Sequence, residues 1–166
     1  VKNVVVLGID PGTATLGWGI IRRTEKVAYK VEAYGCIKTD RRNLFPRRLE
    51  EIYKELGKII KKYKPDIAAI EQLFFAKNVK TAITVGEARG VAILAAVEAN
   101  LPVAEYTPLQ VKQSLVGYGR AEKEQMQKML KVLLGLKDIP KPDDAADALA
   151  IALCHLNSQR MIEMGK

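Results

Sequence analysis

VVVLGIDPGTATLGWG, residues 4–19, is the stretch whose reading decides the fold. Val4 to Ile9 is an apolar run broken by one glycine, rich in β-branched residues and too short for a free-standing helix. It predicts a strand buried on both faces. Asp10-Pro11-Gly12-Thr13 then forces a turn. A carboxylate therefore stands at the tip of the expected central strand, where apolar neighbours make its charge costly unless something positive meets it. Taken alone, Asp10 reads as a turn-capping aspartate. Other acids converging on it would give it a different role.

Working outward, Gly17 to Arg23 and Val27 to Lys38 read as two further strands, the second alternating apolar and polar, joined closely enough to form an antiparallel meander. Asp40 to Arg48 is a polar loop carrying Arg41, Arg42, Arg47 and Arg48, either a solvated turn or a phosphate-facing edge. Leu49, Ile52, Tyr53, Leu56, Ile59, Ile60 and Tyr63 share one helical face, with acids early and lysines late. Pro65 stops that helix. Asp66 to Glu71, DIAAIE, reads as a strand parallel to the first, and it too ends in a carboxylate.

A long helix is expected from Asn78 to Ala99. Its second half is apolar nearly all round and so needs cover on every side. Gly86 and Gly90 would admit another backbone, either the sheet or a second subunit. Pro102 to Tyr106 gives a last strand, and Thr107-Pro108 reads as an N-cap followed by proline at the first helical position. After a break at Gly117 to Arg120 a helix carries Met126, Met129, Leu130 and Leu133 on one face. The final helix runs from about Asp143 to Leu156.

In that helix Asp144, Asp147, Ile151 and Cys154 share a face. Acids at 143 and 144 suit a helix N-terminus; Asp147, in the second turn, is not explained that way. Two carboxylates on one face raise each other's pKa unless a cation neutralises them. The order of elements suits an α/β fold, a mixed five-stranded sheet with helices on both faces. Parallel strands ending in Asp10 and Glu71 place both acids at one edge, and a terminal helix across that edge would add Asp144 and Asp147. Such a set of oxygen donors, with no basic residue adjacent in sequence, is what Mg²⁺ requires. Two ions ~3.5–4 Å apart can hold the attacking and leaving oxygens of a phosphodiester in line.

At 166 residues, 48% hydrophobic and 28% charged, the composition is that of one folded domain spanning 1–166. No apolar run is long enough for a membrane span and no secretory pattern opens the sequence, so a cytoplasmic location and no membrane partner are expected. Cys36 and Cys154 read as buried reduced thiols. A net charge of +8 points to a polyanionic partner.

GIDPGT at 8–13, AIEQLFFAKN at 69–78, EARGVAILAAV at 87–97, QVKQSLVGYG at 110–119 and DAADALAIA at 144–152 together resemble the RuvC family of bacterial Holliday-junction (crossover junction) endodeoxyribonucleases, over nearly the whole chain. The resemblance implies an RNase H-like fold and a homodimer making paired symmetric nicks in four-way junction DNA during recombination and repair, alongside the RuvAB branch-migration complex. It implies Mg²⁺, two ions per active site, with Mn²⁺ able to substitute. By motif the catalytic and metal-holding acids are Asp10, Glu71, Asp144 and Asp147. The family's wedge aromatic matches Phe74, with Phe75 beside it, and its basic DNA-binding residues match Lys112 and Lys123. Some members carry a histidine in the terminal cluster; here His155 lies outside the motif.

Three other readings bear on the same residues. The Asp10-Pro11-Gly12-Thr13 turn also resembles the first phosphate loop of actin-like and sugar-kinase ATPases, but those need two lobes and a second glycine-rich motif. A module that binds branched DNA without cutting it would share the basic charge, yet four retained acids would repel phosphates in it. Another RNase H-like nuclease would share the acids. Without a Ser/His/Asp or Cys/His arrangement, direct hydrolysis by water is the expected chemistry.

Overall fold

The computed structural model describes residues 3–73 and 79–164. Its elements are β1 (Val4–Asp10), β2 (Thr15–Arg23), β3 (Lys30–Lys38), α1 (Phe45–Tyr63), β4 (Ile67–Glu71), α2 (Val79–Glu98), β5 (Val103–Tyr106), α3 (Pro108–Val116), α4 (Lys123–Leu133) and α5 (Asp143–Met164). The five strands form one sheet in the order β3-β2-β1-β4-β5. β1, β2 and β3 make the antiparallel meander, while β4 and β5 join β1 in parallel. This is the expected mixed sheet, with β1 at its centre.

Strand alternation sorts the core into two layers. Val5, Leu7 and Ile9 of β1 and Ala68 and Ile70 of β4 face α1 and α2, where Ile52, Leu56, Ala88 and Ala92 complete the layer. Val6 and Ala69 point the other way, toward Val111, Leu130, Leu149 and Leu153 of α3, α4 and α5. Helices therefore cover both faces. The parity also carries Asp10 and Glu71 onto the α5 side, in step with Val6 and Ala69.

Helix α5 lies directly on the strands. A β-carbon at Gly8 would overlap the Ala148 carbonyl oxygen, one at Gly17 the Asp144 carbonyl oxygen, and one at Gly19 the Leu149 side chain. Gly8 and Gly19 face each other in the β1–β2 register, and Asp10 faces Gly17. These glycines clear a track along which the helix backbone approaches the sheet. Between Ala145 and Leu156 every residue but Asp147 is buried.

Several boundaries differ from those read in the sequence. β2 starts at Thr15, because Thr15 still pairs with Lys38. Val27 belongs to a turn, where its N–H donates to Thr24 Oγ1 (3.0 Å), and β3 starts three residues later. α1 begins at Phe45, with Pro46 in its first turn; that turn holds no acid, so only the late lysines match the dipole. α5 continues past Leu156. Thr107 caps α3 with Pro108 following, as expected, and Gln110 completes a capping box with it. In the basic loop Arg42 pairs with Asp40 and Arg47 with Glu50, while Arg48 donates to Thr39 (2.9 Å). Those three side chains thus face partners in this chain. Cys154 is buried and Cys36 only half-buried.

Candidate active site

Asp10 ends β1 and Glu71 ends β4, and the parallel register aligns Ile9 with Ile70 one residue before them. The two acids consequently stand side by side at the carboxyl edge of the sheet. The turn after Asp10 is tied down by Thr39, whose hydroxyl donates to the Thr13 carbonyl (2.5 Å) and whose N–H donates to the Ala14 carbonyl (3.1 Å). Asp147 arrives from the second turn of α5, as the single half-exposed residue of its buried stretch.

Asp10, Glu71 and Asp147 line one cavity of about 240 Å³, together with Lys112 of α3 and Lys123 and Gln127 of α4. A second cavity, of about 390 Å³, opens on the other side of Asp10 and Glu71 toward Leu73, Val85 and Arg89. Asp144 does not line the first cavity. Its backbone carbonyl sits over Gly17, and its charge is felt by Asp10 and by the Cys36 thiol. Three of the four acids predicted from sequence thus meet in one cavity, with the fourth at its margin.

The electrostatics follow from burial and mutual repulsion. Burial pushes Asp10 up to about 8, with Asp147, Glu71 and Asp144 adding to the rise and Lys123 opposing it. Glu71 is pushed up to about 7 by burial and by Asp147, against Lys112. Asp147 is also raised, chiefly by burial, with Lys123 pulling the other way. The acids have no basic neighbour in sequence, but the fold supplies two in space. Lys123 Nζ lies 3.0 Å from Asp143 Oδ2 and 3.8 Å from Asp147 Oδ2.

Among the described residues, no three Asp, Glu, His or Cys side chains are drawn close enough to share one ion. The acids are therefore within electrostatic range of one another without being closed around a point. Their chemistry still fits a hard dication. The cavity offers carboxylate and amide oxygens with no thiol or imidazole, and burial and mutual repulsion hold its acids toward protonation despite Lys112 and Lys123. His155 is buried, with its Nδ1 2.8 Å from the Tyr106 hydroxyl, and burial lowers its pKa. It is a core residue.

Phe74 and Phe75 lie outside the described residues. The sequence reading missed three others. Asp143, taken there as a cap, accepts from Lys123 and from Gln127 Nε2 (3.1 Å). Arg89 donates through Nε to the Glu71 carbonyl (3.1 Å) and through a terminal nitrogen to Glu105. Cys36 lies close enough to Asp144 and Asp10 for their charges to raise its thiol pKa, although burial is the larger cause. No local spacing marks any of these three, because their partners are distant in the chain.

The family model described as "Crossover junction endodeoxyribonuclease RuvC" matches residues 6–155. A protein of that name from Caldicellulosiruptor saccharolyticus is 58% identical over 157 residues, covering 95% of each chain. Another from Alkaliphilus oremlandii is 56% identical over 163 residues, 98% of this chain and 99% of that one. Among solved structures, Thermus thermophilus RuvC superposes with a TM-score of 0.88 at 39% identity, covering 95% of this chain and 96% of that one. The same protein in complex with Holliday junction substrate superposes with a TM-score of 0.90 at 38% identity and the same coverage.

Proposed function

The chain belongs to the RuvC family of crossover junction endodeoxyribonucleases, hydrolases of phosphodiester bonds, and we propose that its acid cavity nicks four-way junction DNA with the help of Mg²⁺. One observation carries the reading: Asp10, Glu71 and Asp147, from three separate elements, line a single cavity where burial holds their carboxyl pKa values up. An isolated structural acid would be turned to solvent or to a fixed partner. Buried acids set against one another are stable as anions only with a cation among them.

Asp10, Glu71, Asp147 and, from the margin, Asp144 are the residues that would hold Mg²⁺, as two ions per site in the family manner, with Mn²⁺ able to substitute. Bound there, such ions would activate water and stabilise charge on the phosphate. The chain's own residues do the rest. Asp10 is fixed by the central strand and the braced turn behind it. Lys112 faces Glu71, and Lys123 faces Asp147 and Asp143, so positive charge stands where a DNA backbone would enter. Phe74, one residue beyond Leu73 of the second cavity, is the wedge in this reading.

Paired nicks need two sites related by a two-fold axis. The exposed apolar side chains Ile83, Leu94 and Val97 on α2 support a homodimer through that helix. Among the described residues no helix is long and apolar enough to cross a membrane. Action as a single nuclease domain in the cytoplasm beside RuvAB completes the reading.

The test is substitution of the acids. Asp10→Asn, Glu71→Gln and Asp147→Asn should each slow single-turnover cutting of a labelled junction by ~10²–10³-fold or more, with junction binding retained or tightened. Asp144→Asn should also be severely slowed, but less than the three lining acids. A variant that cuts normally removes its residue from the site.

A further inference from the structure

Arg89 stands on α2 next to Ala88, which is buried against the sheet, and its side chain is only 19% exposed. From there it reaches two neighbouring strands at once. Its Nε donates to the main-chain carbonyl of Glu71 at 3.1 Å, and a terminal nitrogen pairs with the carboxylate of Glu105 on β5. Glu105 faces Ile70 in the β4–β5 register, and the ladder's last bond runs from Gln72 N–H to the Tyr106 carbonyl (2.8 Å). The guanidinium therefore clamps the strand end from the flank, at the residue whose side chain faces the acid cavity.

We propose that Arg89 is a positioning residue for Glu71, holding its main chain so that the carboxylate meets Asp10 and Asp147. This rests on the reading of Glu71 as a metal-holding acid. Arg89 is not among the charges that set the Glu71 pKa, and its own charge is met by Glu105. Its influence runs through the backbone. A planar guanidinium fork serves a carbonyl and a carboxylate from separate nitrogens in fixed geometry, whereas a lysine ammonium would have to serve both from one nitrogen on a flexible stem. Partners that orient a metal-holding group typically change metal affinity or activity by about 10–100-fold when lost.

The experiment compares Arg89→Met, Arg89→Lys, Glu105→Gln and Glu71→Gln in the full chain. Mn²⁺ binding to the DNA-free protein is read by electron paramagnetic resonance, and single-turnover cutting and junction affinity are read separately. Arg89→Met should weaken Mn²⁺ binding and slow cutting by about 10–100-fold, with junction affinity within about twofold. Arg89→Lys should recover part of both losses, and Glu105→Gln should move both in the same direction by less. If Glu71→Gln weakens Mn²⁺ binding while Arg89→Met and Glu105→Gln leave it and the cutting rate unchanged, the positioning role is overturned and the site reading stands. If Glu71→Gln leaves Mn²⁺ binding unchanged, both are overturned. Should Arg89→Met not fold, Glu105→Gln and Arg89→Lys carry the same comparison, and normal Mn²⁺ binding in both overturns the proposal.

Discussion

Gly17 lies so close beneath Asp144 that a β-carbon on the glycine would overlap the aspartate's carbonyl oxygen. This contact sets the height of the α5 N-terminus above the sheet, and with it the distance of the helix aspartates from Asp10. Gly17→Ala should cost ~1–3 kcal/mol as an overpacked contact, a drop in Tm of roughly 2–4 °C per kcal/mol for a chain of this size. It should also slow cutting, because the helix carrying Asp147 must rise. Gly57→Ala, where among the described residues no heavy atom outside its own helix lies within 4 Å of the added carbon, should leave Tm unchanged or raise it. Equal Tm and equal cutting rates for the two alanine variants would count against the track of glycines.

The raised carboxyl pKa values make stability depend on pH in a stated direction. Asp10 is raised to about 8 and Glu71 to about 7, above the ordinary carboxylate range that applies in the unfolded chain. Between about pH 4 and 8 the native state therefore holds more protons than the unfolded state, and stability falls as pH rises. In EDTA, Tm should drop by on the order of 5–10 °C from pH 5 to pH 8. Asp10→Asn should flatten that slope, and saturating Mg²⁺ should raise Tm most at pH 8. Calorimetry over that range, with and without Mg²⁺, checks the sign.

Lys112 and Phe74 should separate by salt dependence. Lys112→Ala should weaken junction binding and flatten log affinity against log salt by about 0.9 per lost phosphate contact. Lys123→Ala should do the same, and it should also raise the Asp147 pKa, because the ammonium 3.8 Å away is removed. Phe74→Ala should leave the salt slope unaltered. It should slow cutting more than it weakens binding, since base–aromatic stacking is worth ~1–3 kcal/mol. Fluorescence anisotropy at several salt concentrations, set beside single-turnover cutting, distinguishes the three; a large loss of Tm in Phe74→Ala would mark that ring as core.

Helix α2 presents Leu94 and Val97 to solvent at 51% and 57% exposure, while Ile93 packs against the core. Leu94→Glu should therefore shift the protein toward monomer in sedimentation without loss of helix signal. Ile93→Glu should destabilise the fold instead. Among the described residues Gly90 has open space around it, as contact with a second subunit requires, while Gly86 meets Leu73 at 3.5 Å. A wild-type chain that sediments as a monomer at micromolar concentration would refute the dimer.

What the sequence determined by itself is local in origin. The apolar run 4–9 and the turn at Pro11-Gly12 define β1 and put Asp10 at its tip. The same reading of DIAAIE puts Glu71 at the end of β4, and the order of elements makes those two strands parallel neighbours. Thr107-Pro108 starts α3 because capping chemistry acts within one turn. Tertiary structure decided what no window of sequence holds. It brought Lys123 to Asp143 and Asp147, left Asp144 at the margin though it shares a helical face with Asp147, and clamped Glu71 with Arg89 from 18 residues away. The sites of closest approach, Gly8 and Gly17, read in sequence only as weak points in strands. The physical reason is range: periodicity, turns and caps are settled among residues a few positions apart. The charge around a buried carboxylate depends instead on every element packed against it, and here those elements meet only when α5 settles onto the sheet.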